Sequence, residues 1–397
     1  MNINKHTRRV NRFLFPFLAM TLSLLLCLIV GELCVRWFVP SSYWKYFDAT
    51  EDWKSDPETG WIQKPNINDR FVFHEFNTTV DFKTNMDGLL PIHAKREKKK
   101  GTLRIMIFGD STVVGRSIPE KDRIHVQLEE ILRRRGDNVE VINAGVQGYS
   151  TDQELLLARR MIPLYKPDIV LLCVCVNDFA ANSLRTDHGH AKPMFIMEEG
   201  KLSGLIPPEP SNFRIVRKGY SRLSPLILIQ HSALYGYFRP NIFVLRARYQ
   251  FLFRDQMMMG LPDDFYYNPS ALNRLDFDLF EALLLEFNRN CKESGAKFVY
   301  YLNPHPIEVW NPYIVSVENR LGLQPGSVDR YTIDRRLRRI SEENKIKYLS
   351  FIEYFIKNQS RGPFHLLPRD PHCNPRGYEL TAEALTANLA PMVAESS

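Results

Sequence analysis

The sequence reads as an α/β protein in which a mostly parallel sheet is covered by helices on both sides, with one apolar helix ahead of it. Three observations predict this. From residue 103 onward, short apolar runs alternate with amphipathic ones, the rhythm of strand–helix–strand units. Residues 13–31, FLFPFLAMTLSLLLCLIVG, carry no charge; at ~1.5 Å per residue that run crosses most of a ~30 Å hydrocarbon layer. Motifs rich in serine, glycine, asparagine and histidine stand just after apolar runs or just before helix-like ones, where open parallel sheets bind their ligands.

Each element follows from its pattern. LRIMIFG (103–109) is a continuous apolar run, as expected of a strand buried on both faces. Residues 120–135 place Ile124, Leu128, Ile131 and Leu132 on one helical face. VEVINAG (139–145) predicts the next strand, 151–164 a helix, and DIVLLCVCV (168–176) a third strand. Later come a helix over 276–294, a strand at KFVYYLN (297–303), a charged helix over 329–345, a strand at IKYLSF (346–351) and a closing helix over 375–393.

The N-terminal run is read as a signal-anchor over 13–39, extended by Val35, Trp37, Phe38 and Val39. Its alternative is a cleaved signal peptide, which the length of the run and the lack of a small-x-small cleavage site disfavour. Lys5, Arg8, Arg9 and Arg12 precede it with no acidic residue among the first twelve. That asymmetry predicts a cytoplasmic tail (1–12) and an extracytoplasmic remainder, periplasmic or cell-surface. Glu32 and Arg36 are spaced to pair at the helix end.

Residues 40–100 read as an extended lead-in and linker. Turn signals stand at Asp56-Pro57, Pro65-Asn66 and Asp87-Gly88. Phe71, Phe73, Val80 and Phe82 suggest two short alternating strands, and KREKKK (95–100) a solvated linker. The main domain is expected over 101–397, with an insertion at about 180–275. The insertion contains PPEP (207–210), an apolar stretch (223–253) and DQMMMG (255–260). Arg239, Arg246 and Arg248 interrupt the apolar stretch, so it is read as core rather than a second span.

Composition narrows the function. The net charge is +7, but the basic tail and the lysine run account for it. No basic stripe is left for nucleic acid, so no nucleic-acid partner is expected. The six cysteines show neither a metal-type CxxC pair nor a disulfide framework. Asp187, His188 and His190 are a weak metal candidate, read as exposed loop residues. Oligomeric state is silent in the sequence.

Four motifs carry chemistry. Gly109-Asp110-Ser111 follows the first buried strand and presents a hydroxyl and a backbone N–H to the cleft; its ordinary alternative is a helix N-cap. Asn143-Ala-Gly-Val-Gln-Gly148-Tyr-Ser follows the second strand, where glycine lets backbone approach a substrate. Asn177-Asp178 follows the third, and an asparagine amide there is able to donate to an oxyanion. Asp370-Pro-His372-Cys-Asn374 precedes the last helix and supplies a base and a carboxylate. Each alone suits a turn; together they supply acyl-transfer chemistry. Asn303-Pro-His305-Pro marks His305 as an accessory cleft candidate, and Arg376 as a contact for an anionic substrate or only for the helix end.

These motifs, with Gly115 shortly after Ser111, resemble the SGNH hydrolases, the GDSL-type esterases and lipases, over about 103–180 and 280–393. The lead-in, DPETGWIQKPN and then TNMDGLL, resembles membrane-anchored bacterial members. The resemblance implies a flavodoxin-like three-layer α/β/α sandwich. It implies a triad of Ser111, His372 and Asp370, and an oxyanion hole from Ser111, Gly148 and Asn177. Gly148 rather than Gly145 fits, because the family's glycine lies beyond the strand end. Two departures stand out: Cys175 where the third block usually has glycine, and Asp-x-His where Asp-x-x-His is common. The shorter form resembles members of the alginate-acetylation type.

The expected function is a serine esterase acting on an ester-bearing small molecule, lipid or glycan, with O-acetyl groups among the candidates and no cofactor. Two alternatives remain at this stage. One is acyl transfer to a glycan by the same triad; the other is a non-catalytic carbohydrate-binding or assembly protein on the same scaffold.

Overall fold

The computed structural model describes residues 3–39, 52–73, 78–187, 189–209, 232–235, 237–238, 264–366 and 372–395. The chain divides into two compact units, one of 1–47 with 217–254, the other of 48–216 with 255–397. Asp370, His188, most of the 223–253 stretch and DQMMMG lie outside the described residues.

The smaller unit contains the helix Ile3–Phe38. Its segment Phe15–Phe38 spans 24 residues at a mean hydropathy of 2.4 and is 6% buried. At ~1.5 Å per residue this is long enough to cross a bilayer, as a membrane anchor or a signal sequence. Near its end Glu32 and Arg36 pair at 2.7 Å. The same carboxylate accepts hydrogen bonds from the Ala233 and Leu234 backbone N–H groups and the Ser232 hydroxyl.

The larger unit begins with two hairpins. β1 (Trp53–Asp56) pairs antiparallel with β2 (Gly60–Gln63). β3 (Asn68–Phe73) pairs with β4 (Thr78–Lys83), setting Phe71 opposite Val80. Five strands then build the central sheet: β5 (Leu103–Phe108), β6 (Val139–Asn143), β7 (Ile169–Val174), β12 (Lys297–Leu302) and β13 (Lys347–Leu349). Between β7 and β12 lie two small antiparallel pairs, β8 (Thr186–Asp187) with β9 (His190–Ala191) and β10 (Met194–Glu198) with β11 (Lys201–Ile206).

The central order is β13-β12-β7-β5-β6 and every pairing is parallel. In the sheet's own numbering that is the flavodoxin-like order 2-1-3-4-5, whose switch point falls between β5 and β7. Alternate side chains feed two cores. Met106, Phe108, Leu172 and Tyr300 pack with Leu155, Ile162, Leu283 and Leu337 on one face. Ile105, Ile107, Leu171 and Tyr301 pack with Leu128, Leu132, Leu385 and Phe355 on the other. The result is the expected three-layer sandwich.

The basic run is not simply a solvated linker. Arg104 on β5 is fully buried. Its guanidinium donates to the carbonyls of Lys95 (3.0 Å), Arg96 (2.9 Å) and Glu97 (3.2 Å), to that of Tyr165, and to the Glu140 carboxylate at 2.9 Å. Lys98 pairs with Asp168 at 2.7 Å. A planar five-donor group suits this convergence of acceptors. Arg104→Met is expected to leave these acceptors unmatched and to lower stability by about 3 kcal/mol, read as a lower urea midpoint; an unchanged midpoint would show that water replaces the guanidinium without cost.

Candidate active site

Ser111 opens a short helix, Ser111–Val114, directly after β5. Asp110 caps it, accepting from the Thr112 N–H at 2.8 Å and the Thr112 hydroxyl at 2.7 Å. Gly109 is required by contact: a Cβ there would stand 2.3 Å from Val113 and 3.1 Å from the Cys173 Cβ. From the closing helix, Pro375–Ala394, the Tyr378 hydroxyl donates to the Thr112 carbonyl at 2.6 Å. The serine is therefore held on a backbone fixed from both sides.

His372 lies 261 residues further on, and its Nε2 is 2.8 Å from Ser111 Oγ. Its loop is tied to residues 364–366. The Leu366 N–H donates to the His372 carbonyl at 3.0 Å, and the Asn374 N–H to the Phe364 carbonyl at 2.9 Å. Asn374 caps the closing helix through the Gly377 N–H and donates to the carbonyls of Pro363 and His365. Histidine and serine, both partly exposed, face each other at hydrogen-bond distance from independently fixed loops.

The Gly148 loop is tied to the serine turn. The Val146 N–H donates to the Gly109 carbonyl at 3.0 Å. Asn143, buried at the end of β6, donates to the Val113 carbonyl at 2.6 Å and accepts from the Gly145 N–H at 3.0 Å. A Cβ on Gly145 would meet Val113 and the Val114 nitrogen at 2.9 Å, so Gly145 is a contact glycine. Gly148 has φ +77°, a backbone glycine adopts freely. Asn177 is exposed beyond β7. Its neighbour Asp178 is buried and accepts the Cys175 N–H at 2.8 Å.

Cys175 fits beneath these loops, its sulfur 3.3 Å from the Thr112 hydroxyl and 3.4 Å from Asp110 Oδ1. Its side chain thus joins the Asn177 turn to the Ser111 turn. Below lies an acidic cluster. Burial, and then the charges of Asp178 and Asp110, push the Glu154 carboxyl well up; burial, and then Asp110, does the same to Asp178. Both are held toward their neutral forms.

A buried ammonium braces the rim. Lys192, fully buried, donates to Ser150 at 2.7 Å and the Ala181 carbonyl at 2.6 Å, and pairs with Asp152 at 2.9 Å. It joins the exit of the Gly148 loop to the short helix after Asn177.

The structure brings Ser111, His372, Gly148 and Asn177 to the carboxyl edge of the sheet, while Asp370 lies outside the described residues. His305 instead caps a short helix through Ile307 and is buried beside Tyr266. His190 is buried against Trp53 and Trp61. Arg376 reaches the Arg361 carbonyl at 3.4 Å. Among the described residues no group of three or more His, Cys, Asp or Glu is placed to hold a metal. All six cysteines are free thiols. Asn143, Lys192 and Tyr378 also hold the site together; of these only Asn143 stands within a sequence motif, NAGVQGYS.

Residues 107–213 match the model of the GDSL-like lipase/acylhydrolase family. No curated protein matches the chain. Similar solved structures include a psychrotrophic esterase from Pseudoalteromonas sp. (11% identity, 73% of this chain and 98% of that one, TM-score 0.36). A lipase/acylhydrolase from Enterococcus faecalis aligns at 11% identity over 72% and 95%, TM-score 0.37. A variant of an acetyl xylan esterase from Geobacillus stearothermophilus aligns at 14% over 72% and 94%, TM-score 0.38.

His125 gives a pH test of the lacing. It is 1% exposed, and its Nδ1 lies 3.2 Å from the Asn143 amide nitrogen, which assigns the ring proton to Nε2. Burial, and then the charges of Arg123 and His93, hold its pKa down at about 3. In the unfolded chain the ring titrates near ~6.5. Below that pH the unfolded state takes up a proton that the folded state refuses, so stability falls toward pH ~3 by up to ~1.4 kcal/mol per pH unit. The stability advantage of wild type over His125→Gln is expected to shrink as denaturation is repeated from pH 7 down to 4. A constant difference would show that the ring is not held neutral.

Proposed function

We propose that this chain is a serine esterase with Ser111 as nucleophile and His372 as general base, a reading supported by the match of residues 107–213 to the GDSL-like lipase/acylhydrolase model. The observation that carries the assignment of roles is the 2.8 Å approach of His372 Nε2 to Ser111 Oγ. A neutral imidazole nitrogen at that distance is within reach of the hydroxyl proton.

In this scheme Ser111 Oγ attacks the ester carbonyl carbon while His372 takes the hydroxyl proton. The carbonyl oxygen becomes an oxyanion. Its donors are the backbone N–H groups of Ser111 and Gly148 and the Asn177 side-chain amide. Collapse breaks the bond to the leaving alkoxide, which His372 protonates, and Ser111 carries the acyl group. Water then attacks with His372 again as base, and the carboxylic acid leaves. Asp370 is the proposed third member, holding and charge-compensating the imidazolium. The scheme calls on no metal or organic cofactor.

The proposed substrates are O-acyl esters of carbohydrate or lipid. The proposal includes a membrane anchor at Phe15–Phe38; Lys5, Arg8, Arg9 and Arg12 ahead of it support a cytoplasmic N-terminus and an extracytoplasmic esterase domain.

The test is fluorophosphonate labelling of the full chain in detergent. Wild type is expected to label once, Ser111→Ala not at all, and His372→Gln at least ~10²-fold more slowly, all at similar melting temperature. A folded wild type that does not label would favour the non-catalytic reading, and labelling that survives in Ser111→Ala would move the nucleophile elsewhere.

A further inference from the structure

We infer that Trp61, on the β1–β2 hairpin ahead of the family segment, is a positioning residue that fixes the Gly148 N–H as an oxyanion donor; the inference rests on the esterase reading above.

The contact is specific in its atoms. The Trp61 indole N–H donates to the Gln147 carbonyl at 3.1 Å. That carbonyl and the Gly148 N–H belong to the same planar peptide unit, and in a trans peptide they point in opposite directions. A donor that holds the carbonyl on the hairpin side therefore aims the N–H to the other side.

The turn itself makes this orientation a choice. The Tyr149 N–H donates to the Val146 carbonyl at 3.2 Å, so residues 146–149 form a β-turn. Gly148, its third residue, has φ +77°, while Gln147 is not among the positive-φ residues; the turn is type II. Types I and II differ chiefly by a flip of the central peptide, here Gln147–Gly148. Glycine permits both forms, so its conformational freedom alone does not fix the N–H.

The indole is itself held rigidly. Trp61 is fully buried, stacks on Trp53 at 5.6 Å and meets the Tyr149 ring edge-on at 5.7 Å. The Tyr149 hydroxyl donates to Thr59 Oγ1 at 2.9 Å, and the Gln153 amide to the Thr59 carbonyl at 2.8 Å. Arg160 pairs with Asp56 at 2.7 Å. Gly60, which precedes Trp61, is required by its φ of +85° and by the Ala191 carbonyl, 2.1 Å from where a Cβ would stand. Bonds therefore run from the hairpin to the turn, to Tyr149 and to the helix Thr151–Tyr165.

The test compares full-length Trp61→Phe with Trp53→Phe in detergent. Both lose an indole from the same stack, but only the first loses the bond to Gln147. The readouts are kcat and KM on p-nitrophenyl acetate, melting temperature, and the Gly148 amide resonance under glycine-selective isotope labelling. For Trp61→Phe, kcat is expected to fall by about tenfold or more, since losing an oxyanion donor outright costs ~10²–10³-fold. KM should stay within about twofold and the Gly148 amide resonance should shift. Trp53→Phe should lose comparable thermal stability and keep its kcat. If either kcat or the Gly148 resonance of Trp61→Phe matches Trp53→Phe, the inference is overturned. A wild type that neither turns over the ester nor labels would sink the esterase reading instead, and the Gly148 resonance alone would then decide the positioning role.

Discussion

Everything at the candidate site depends on one constraint: all five central strands run the same way. A parallel sheet delivers every strand end to one edge, and the flavodoxin-like order opens a crevice where the winding reverses, between β5 and β7. Ser111 leaves β5 there and Asn177 leaves β7. Gly148 follows β6 on the other side of β5. His372 comes from the loop before the closing helix, which packs with the helix Ile124–Arg134 on the same face. Residues far apart in sequence thus gather without any long reach of a side chain.

Parallel strands alone place loops only coarsely, and catalytic geometry tolerates little error. The finer placement comes from backbone groups held at short range. Gly109 and Gly145 let the serine turn and the second loop approach within Cβ contact of Val113. Asn143 binds both at once, and Cys175 and Lys192 join the Asn177 segment to its neighbours. These ties cross between loops. A polar side chain that satisfies two buried backbone groups is hard to replace, because either group left alone carries a desolvation penalty.

The sheet was legible in the sequence because its strands are buried on both faces and read as unbroken apolar runs. LRIMIF and IVLLCV carry no competing pattern. The site motifs were legible because serine, glycine, asparagine and histidine stood together at strand ends. Other elements had weaker signals. The strands β8 to β11 are short and half-exposed, with little periodicity. The helices Pro306–Val309 and Asn311–Leu321 carry prolines, Pro306 and Pro312, that resemble breakers but sit in the first turn, where proline is tolerated. Arg104 and Lys192 were hidden for a different reason: many of their acceptors are backbone carbonyls, and a carbonyl leaves no trace in residue type.

In sequence, the turn signals and alternating aromatics of residues 40–100 read as an extended lead-in and linker, and Trp53 and Trp61 gave no signal of their own. In the fold both tryptophans are buried on the β1–β2 hairpin, whose bonds end on the Gly148 turn and on the helix that follows it. A turn with glycine at its third position is locally bistable, and local sequence cannot settle which way its central peptide faces. A tertiary donor settles it, and a rigid aromatic stack is a suitable carrier because it spends little conformational entropy on being held. In the proposed scheme Ser111, Gly148 and Asn177 come from the family-matched segment and His372 from the loop before the closing helix, and the hairpin ahead of them supplies part of their aim.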